Sequence, residues 1–230
     1  MIEVKNATKK YKKVKALDNI SFEIHEGKIT CLLGINGVGK STVLKAICGL
    51  IKLDSGEILI DGEKINHKIY DKVAFVPDVD NYFVQFTIKQ SFEFMKEFYK
   101  NWDDKKAYEM LDLFNLNDNS KISNLSKGNI ARVKIILGFA QNAKYTILDE
   151  PFSGIDIFKR EDFLKVMTKY ITDEQSIIIT THEISEIEMI ADDVILIDDG
   201  RVSLVFNAEE TREEEGKSII DKMSEVYKNE

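Results

Sequence analysis

The chain has two cysteines and three histidines among its 230 residues, and that scarcity removes whole classes of protein. Two thiols cannot staple a disulfide-rich secreted scaffold. Cys31 and Cys48 lie in the apolar contexts CLLG and AICGL, with no metal-type spacing between them, so they read as buried free thiols in a reducing compartment. Positive charge is also short. Lys and Arg number 32 against 40 Asp and Glu, a net charge of -8. General attraction to nucleic acid or anionic lipid is therefore missing, and no nucleic-acid partner is expected. Long hydrophobic runs are absent too: IIIT and VILI are far too short to span a bilayer, and MIEVKNATKKYKK lacks the apolar core of a signal peptide. Any membrane role must come through a partner. No internal repeat or low-complexity linker breaks the chain. What is present, 43% hydrophobic and 31% charged residues, suits one compact globular unit and excludes a disordered or collagen-like chain.

Periodicity gives the fold class. IEVKNATKKY, ISFEI and ITCLLG read as strands, with Gly27 as a turn, and TVLKAICGL as a helix that Gly49 can cap. GEILIDGEKI is a hairpin with DG at its turn, and VAFVP a buried strand. From about Gln85 to Ala140 the pattern turns helical, with Tyr108, Leu111 and Phe114 at helical spacing. Strands then alternate with helices: YTILDE, KREDFLKVMTKYI, SIIITTH, EISEIEMIA, VILIDDGRV. The class is α/β, a sheet with a parallel core and covered faces, an antiparallel β subdomain at the N-terminus and an inserted helical block. We expect one domain over 1–230, with a helical subdomain near 85–140 and a helical tail near 208–230. On that tail Ile219, Ile220, Met223, Val226 and Tyr227 form a stripe that suits docking on the domain.

Residues 34 to 42, GINGVGKST, match the phosphate-loop pattern at Gly34, Gly39, Lys40 and Ser41, between a buried strand and a helix. Gly34, Gly37 and Gly39 permit backbone angles that turn N–H groups toward anionic oxygens. Lys40 would bridge β- and γ-phosphates, and Ser41 would ligate Mg²⁺. YTILDEP supplies carboxylates at a strand's C-terminal end, where an α/β sheet puts its chemistry. Asp149 would hold Mg²⁺ through a water, and Glu150 would orient or deprotonate the water attacking the γ-phosphate.

With these residues in view, the sequence resembles the ATP-binding subunit of an ABC transporter, from the first strand to about residue 205. GINGVGKST matches that family's first nucleotide motif, LSKGN its signature, YTILDE its second nucleotide motif, SGID its dimer-contact loop and TTH its switch-histidine loop. The resemblance implies a P-loop NTPase with ATP and Mg²⁺ as cofactors. Tyr11 would stack on adenine, and Asn36, Gly37, Val38, Gly39, Lys40, Ser41 and Thr42 would bind the nucleotide. His182 would sense the γ-phosphate beside Glu150. Ser126 and Gly128 would complete the site of a second ATPase subunit in trans, with Asp156 in the dimer loop. A plain helix cap at Ser126 is compatible with that role. A membrane-spanning permease subunit would place the chain on the cytoplasmic face of the membrane. A soluble iron–sulfur assembly ATPase is the other reading. His25 and His67 match no motif and read as surface residues.

Departures from the family pattern are local. Thr87 aligns Asp78 with the glutamine-loop position, where the shorter carboxylate remains a hard ligand for Mg²⁺. Lys127 and Asn129 replace Gly and Gln in the signature. Together with the short tail, these features make the chain look like the compact ATPases of bacterial peptide or antibiotic exporters, so export is expected. The aromatics from Tyr82 to Trp102 pack the helical block, or, at Tyr82 and Phe83, line a groove for the permease.

Overall fold

The computed structural model describes residues 1–79, 83–153, 157–170, 172–182 and 184–228. The chain opens with β1 (Ile2–Tyr11), β2 (Val14–Ile24), β3 (Ile29–Leu33), α1 (Lys40–Ile47), β4 (Ser55–Ile60), β5 (Glu63–Lys64) and β6 (Val73–Val76). Helices α2 (Ile88–Phe98), α3 (Asp104–Leu113) and α4 (Lys127–Phe139) follow, then β7 (Tyr145–Asp149), α5 (Ile157–Tyr170) and β8 (Ser176–Thr180). The last elements are α6 (Ile184–Ile187), β9 (Asp193–Asp198), β10 (Arg201–Asn207), α7 (Ala208–Glu210) and α8 (Ile219–Lys228). They fall into two compact units, one of Met1–Tyr70 with Ser176–Glu230, the other of Asp71–Gln175.

The first unit holds an antiparallel sheet in the order β2, β1, β4, β5. Ile2 sits opposite both Ile24 and Ile60, and the period-two set Ile2, Val4, Ile20, Phe22, Ile24, Ile58 and Ile60 is buried on its inner face. Asp61 and Gly62, at φ 52° and 77°, make the tight turn that DG at a hairpin predicts. A second sheet runs β10, β9, β3, β8, with β3 parallel to both β8 and β9. Parallel strands covered on both faces need apolar side chains at every position, and Cys31, Leu32, Leu33 and Ile177 to Ile179 are at most 1% exposed. The sequence reading of VILIDDGRV as one strand is corrected here: Asp199 and Gly200, at φ 40° and 71°, are a second hairpin turn that folds β10 back onto β9. Helix α1 ends as Gly49 suggests. At φ 68° its N–H reaches the Ala46 carbonyl and that of Leu50 the Lys45 carbonyl, a Schellman closure.

On the C-terminal tail, Ile219 is buried and its N–H donates to the Glu188 carboxylate at 3.0 Å, whereas Ile220 is half exposed. The tail therefore docks along one edge of its stripe. The Tyr227 side chain lies outside the described residues.

In the second unit β6 and β7 pair in parallel, from Val73 opposite Tyr145 to Val76 opposite Leu148. Helix α4 lies close on β6, because a Cβ at Gly138 would come within 2.3 Å of Val76 Cγ2. Helix α2 begins in a capping box: Thr87 Oγ1 accepts from the Gln90 N–H at 3.1 Å, and the Gln90 side chain accepts from the Thr87 N–H at 2.8 Å. The aromatics divide. Phe92 is core, buried with its ring 5.6 Å from half-buried Trp102 and 5.4 Å edge-on to exposed Tyr108. Phe83, Phe86, Phe94 and Phe98 form a separate stack that ends at Phe98, 65% exposed. Tyr82, the other residue considered for a docking groove, lies outside the described residues.

Candidate functional site

In the first unit the chain leaves β3 at Leu33 and turns through a loop that requires glycine at two positions. A Cβ at Gly34, φ 147°, would lie 2.2 Å from the Ile197 carbonyl oxygen, and one at Gly39, φ 113°, 2.3 Å from that of Ala16. Backbone is the obstacle in both cases, so no rotamer change relieves it. Gly37 differs: at φ 87° it has nothing within 4 Å of a Cβ, and it is glycine for its angle. Exposed Asn36 and Gly37 face outward, while Val38, Gly39 and Lys40 are buried. The Lys40 ammonium donates to the Gly34 carbonyl at 2.7 Å and the Ile35 carbonyl at 3.2 Å, closing the loop on itself. An ammonium has three donors, and here it already stands over the loop that precedes α1. Gly39 caps α1 without a side-chain acceptor, so the first amides of the helix, followed by Ser41 and Thr42, present donors suited to an anion.

Tyr11 stands at the end of β1, 47% exposed, with the Lys9 ammonium 5.7 Å from its ring centroid. An open aromatic face at a hairpin end can stack on a planar base. His182 is exposed just after the buried Thr180 and Thr181 at the end of β8. His67 is exposed as well, and His25 is a surface residue whose ring lies 3.1 Å from Asp193.

In the second unit β7 is buried throughout and delivers Asp149, 5% exposed, at its C-terminal end. Glu150 follows at φ 47°, a left-handed backbone that a non-glycine residue holds only when its surroundings fix it. The fixing is visible: the Ser153 N–H donates to the Glu150 carbonyl at 3.1 Å, and buried Phe152 packs edge-on against Phe163 at 4.7 Å. A small cavity of about 140 Å³ opens at this point, lined by Asp78, Lys127, Lys134, Asp149, Glu150 and Ser153. It brings Asp78 to the same cavity as Asp149 and Glu150. Sequence reasoning singled out those carboxylates but missed Lys134. Its signal is a lone ammonium inside the apolar run RVKIILGFA.

Ser126 caps α4, its Oγ accepting from the Asn129 N–H at 3.3 Å, and Gly128 stands in the first helical turn. Farther along α4, Arg132 donates to the Phe114 carbonyl at 3.4 Å with its guanidinium 5.3 Å from the Phe114 ring centroid, which fixes the helix to α3. Asp156 lies outside the described residues.

A glycine loop between a buried parallel strand and a helix, with acidic residues closing another buried strand, defines a nucleotide-binding protein of the P-loop α/β class. The family model for ABC transporter matches residues 17–153, and the chain belongs to that family as an ATP-binding subunit with ATPase activity. It is 31% identical over 217 residues to the ABC transporter ATP-binding protein YtrB of Bacillus subtilis, covering 93% of this chain and 74% of that protein. It is 28% identical to the xylose/arabinose import ATP-binding protein XylG of Sulfolobus acidocaldarius, covering 96% and 93% of the two chains. A dimeric post-hydrolysis state of the ATP-binding cassette MJ0796, bound to ADP and Pi, superposes with a TM-score of 0.79 at 28% identity, over 90% of this chain and 99% of that one. Among the described residues no helix is long and apolar enough to cross a membrane.

Proposed function

We propose that two such ATPase chains, identical or related, work head to tail as one domain each and drive transport through a separate membrane-spanning permease, on the cytoplasmic face of the membrane. Tyr11 stacks on adenine in this reading, residues 36 to 42 hold the phosphates, and Ser126 with Gly128 reaches the nucleotide of the partner chain. Asp156 serves the dimer contact. Glu150 orients the attacking water and His182 senses the γ-phosphate. The observation that carries the reading is the loop at Gly34, Gly39 and Lys40: two backbone oxygens exclude any Cβ, and a buried ammonium is aimed into the turn.

Each unit by itself offers donors of the kind Mg²⁺ takes. Ser41 at the head of α1 offers a hydroxyl, and Asp149 and Asp78 offer hard carboxylate oxygens of the kind this ion prefers. When bound, the ion would neutralise charge on the phosphates as it does across phosphoryl-transfer enzymes. The cap at Ser126 is compatible with a trans role, because a hydroxyl that accepts from Asn129 keeps its own proton to donate. XylG, whose name records import, is alike along nearly its whole length. The lipopolysaccharide export protein LptB of Haemophilus influenzae is alike over 94% of each chain, so export and import both remain within the proposal and the permease is assigned the choice of substrate.

Phosphate release by the purified chain should fall to background on Lys40→Ala. Hydrolysis that persists unchanged would overturn the loop assignment. The tagged chain, captured from gently solubilised membranes of its host, should bring down a multi-spanning protein in stoichiometric amount. A purely soluble partner would refute transport and leave the ATPase chemistry standing.

A further inference from the structure

Lys134 is the charged side chain that the reading above leaves without a task. It lies on α4, 6% exposed, and donates to the main-chain carbonyl of Asp78 at 3.1 Å. Its position follows from packing. Gly138, one helical turn further on, lets α4 settle on Val76 of β6. Side chains on a helix lean toward its N-terminus, so the residue four positions earlier passes over the end of β6, where Pro77 and Asp78 leave the strand. An ammonium withdrawn from water needs its donors met and its charge answered. The Asp78 carbonyl meets one donor, and the carboxylates of Asp78, Asp149 and Glu150 line the same cavity.

We propose that Lys134 is a positioning residue of the ATPase: it fastens the Asp78 segment to the signature helix and supplies a resident positive charge beside Asp149 and Glu150. The proposal rests on the reading of those two carboxylates as the reacting pair. Its chemical reason lies in the cavity itself. A carboxylate at position 78 adds a third negative charge to a space of about 140 Å³. The Lys134 ammonium, with Lys127 at the same cavity, places positive charge among these carboxylates. Holding the Asp78 carbonyl also links the movement of the segment to that of α4, which begins at Ser126 and Gly128.

The test uses the full chain and four variants: Lys134→Met, Lys134→Arg, Asp78→Gln and the Lys134→Met, Asp78→Gln pair. Lys134→Met keeps the length of the side chain and removes its charge. Turnover should fall about tenfold or more, as expected when a reacting group is misplaced by a fraction of an ångström, while KM for ATP stays within about twofold. Melting temperature should fall in Lys134→Met and recover in Lys134→Arg, because removing one partner leaves the Asp78 carbonyl and the carboxylates unanswered. Lys134→Arg should recover most of the turnover, and Asp78→Gln should make the loss of the ammonium matter less, a non-additive pair. Turnover unchanged in Lys134→Met would overturn the proposal, as would turnover and melting temperature falling together with no recovery by Arg. Amide exchange in peptides covering residues 73–79 gives a reading independent of hydrolysis. It should quicken in Lys134→Met, and unchanged exchange would refute the link to α4. A wild-type chain lacking Lys40-dependent hydrolysis would count against the ATPase site, while the exchange measurement would still decide for or against the link.

Discussion

At the scale of single residues, this chain spends its unusual backbone and its buried charge in a few places. Gly34 and Gly39 are glycine because a carbonyl oxygen stands within 2.3 Å of any Cβ. Glu150 holds φ 47° without being glycine, in a turn closed by Ser153 and pinned by Phe152. Cys31 shows the opposite, a residue whose chemistry is switched off. It is fully buried, and burial, with the charge of Asp192 adding to it, pushes its thiol far above the ordinary cysteine range. The thiolate is the reactive form, so a native chain at neutral pH should leave Cys31 unmodified by an aromatic disulfide reagent. Modification should appear only as denaturant unfolds the chain, and prompt labelling of Cys31 in the native state would contradict this burial. The apolar run around Cys31 made its burial legible in the sequence. Lys134 was not legible, because a lysine in an apolar helix looks the same whether its ammonium reaches solvent or a carbonyl of another segment.

Among elements, local signals were read well where the chain closes on itself within a few residues. The strand before the glycine loop, the Gly49 cap and the Asp61 and Gly62 hairpin all depend on neighbours in sequence. The second DG, at Asp199 and Gly200, is a short signal that a single strand over VILIDDGRV absorbs, and the pairing of β9 with β10 shows it to be a hairpin turn. Helix α2 offers a clean test of a local signal. Thr87 and Gln90 exchange two hydrogen bonds that the first turn would otherwise leave unmade. Thr87→Ala should cost about 1 kcal/mol of stability, read as a lower urea midpoint at unchanged slope. A midpoint equal to that of the native chain would mean that packing of Ile88 and Phe92, not the cap, fixes where this helix starts. The stack of Phe83, Phe86, Phe94 and Phe98, exposed at Phe98, is a tertiary outcome: sequence spacing placed Phe92, Phe94 and Phe98 on α2, but whether each met Trp102 or another phenylalanine depended on how the segments flanking the helix folded back on it.

Across the whole molecule, the glycine loop and His182 belong to one compact unit and Asp149, Glu150 and Ser126 to the other. A chain so divided, in a family with dimeric cassettes, leads to a direct prediction. If Glu150 orients the attacking water as proposed, Glu150→Gln keeps the shape of the side chain and removes that carboxylate, so ATP should accumulate unhydrolysed. If two copies suffice, light scattering with ATP and Mg²⁺ should report twice the monomer mass, reverting when ATP is removed. A persistent monomer would mean that the partner ATPase is a different chain or that the permease is needed. The net charge of -8 sets no obstacle at the salt of the cell, where exposed charges beyond about 8 Å are screened. What the sequence determined by itself was the order of strands and helices, the phosphate loop, the acidic strand end and the family, because these are set by short-range patterns of apolar, glycine and acidic residues. The tertiary structure decided which groups share a cavity. Asp78, Lys134 and the adjacent pair Asp149 and Glu150 come from three separate stretches of the chain, and they meet because Gly138 lets α4 settle on β6 while β6 pairs with β7. Contacts between distant segments depend on backbone approach, which no local pattern of residue types records.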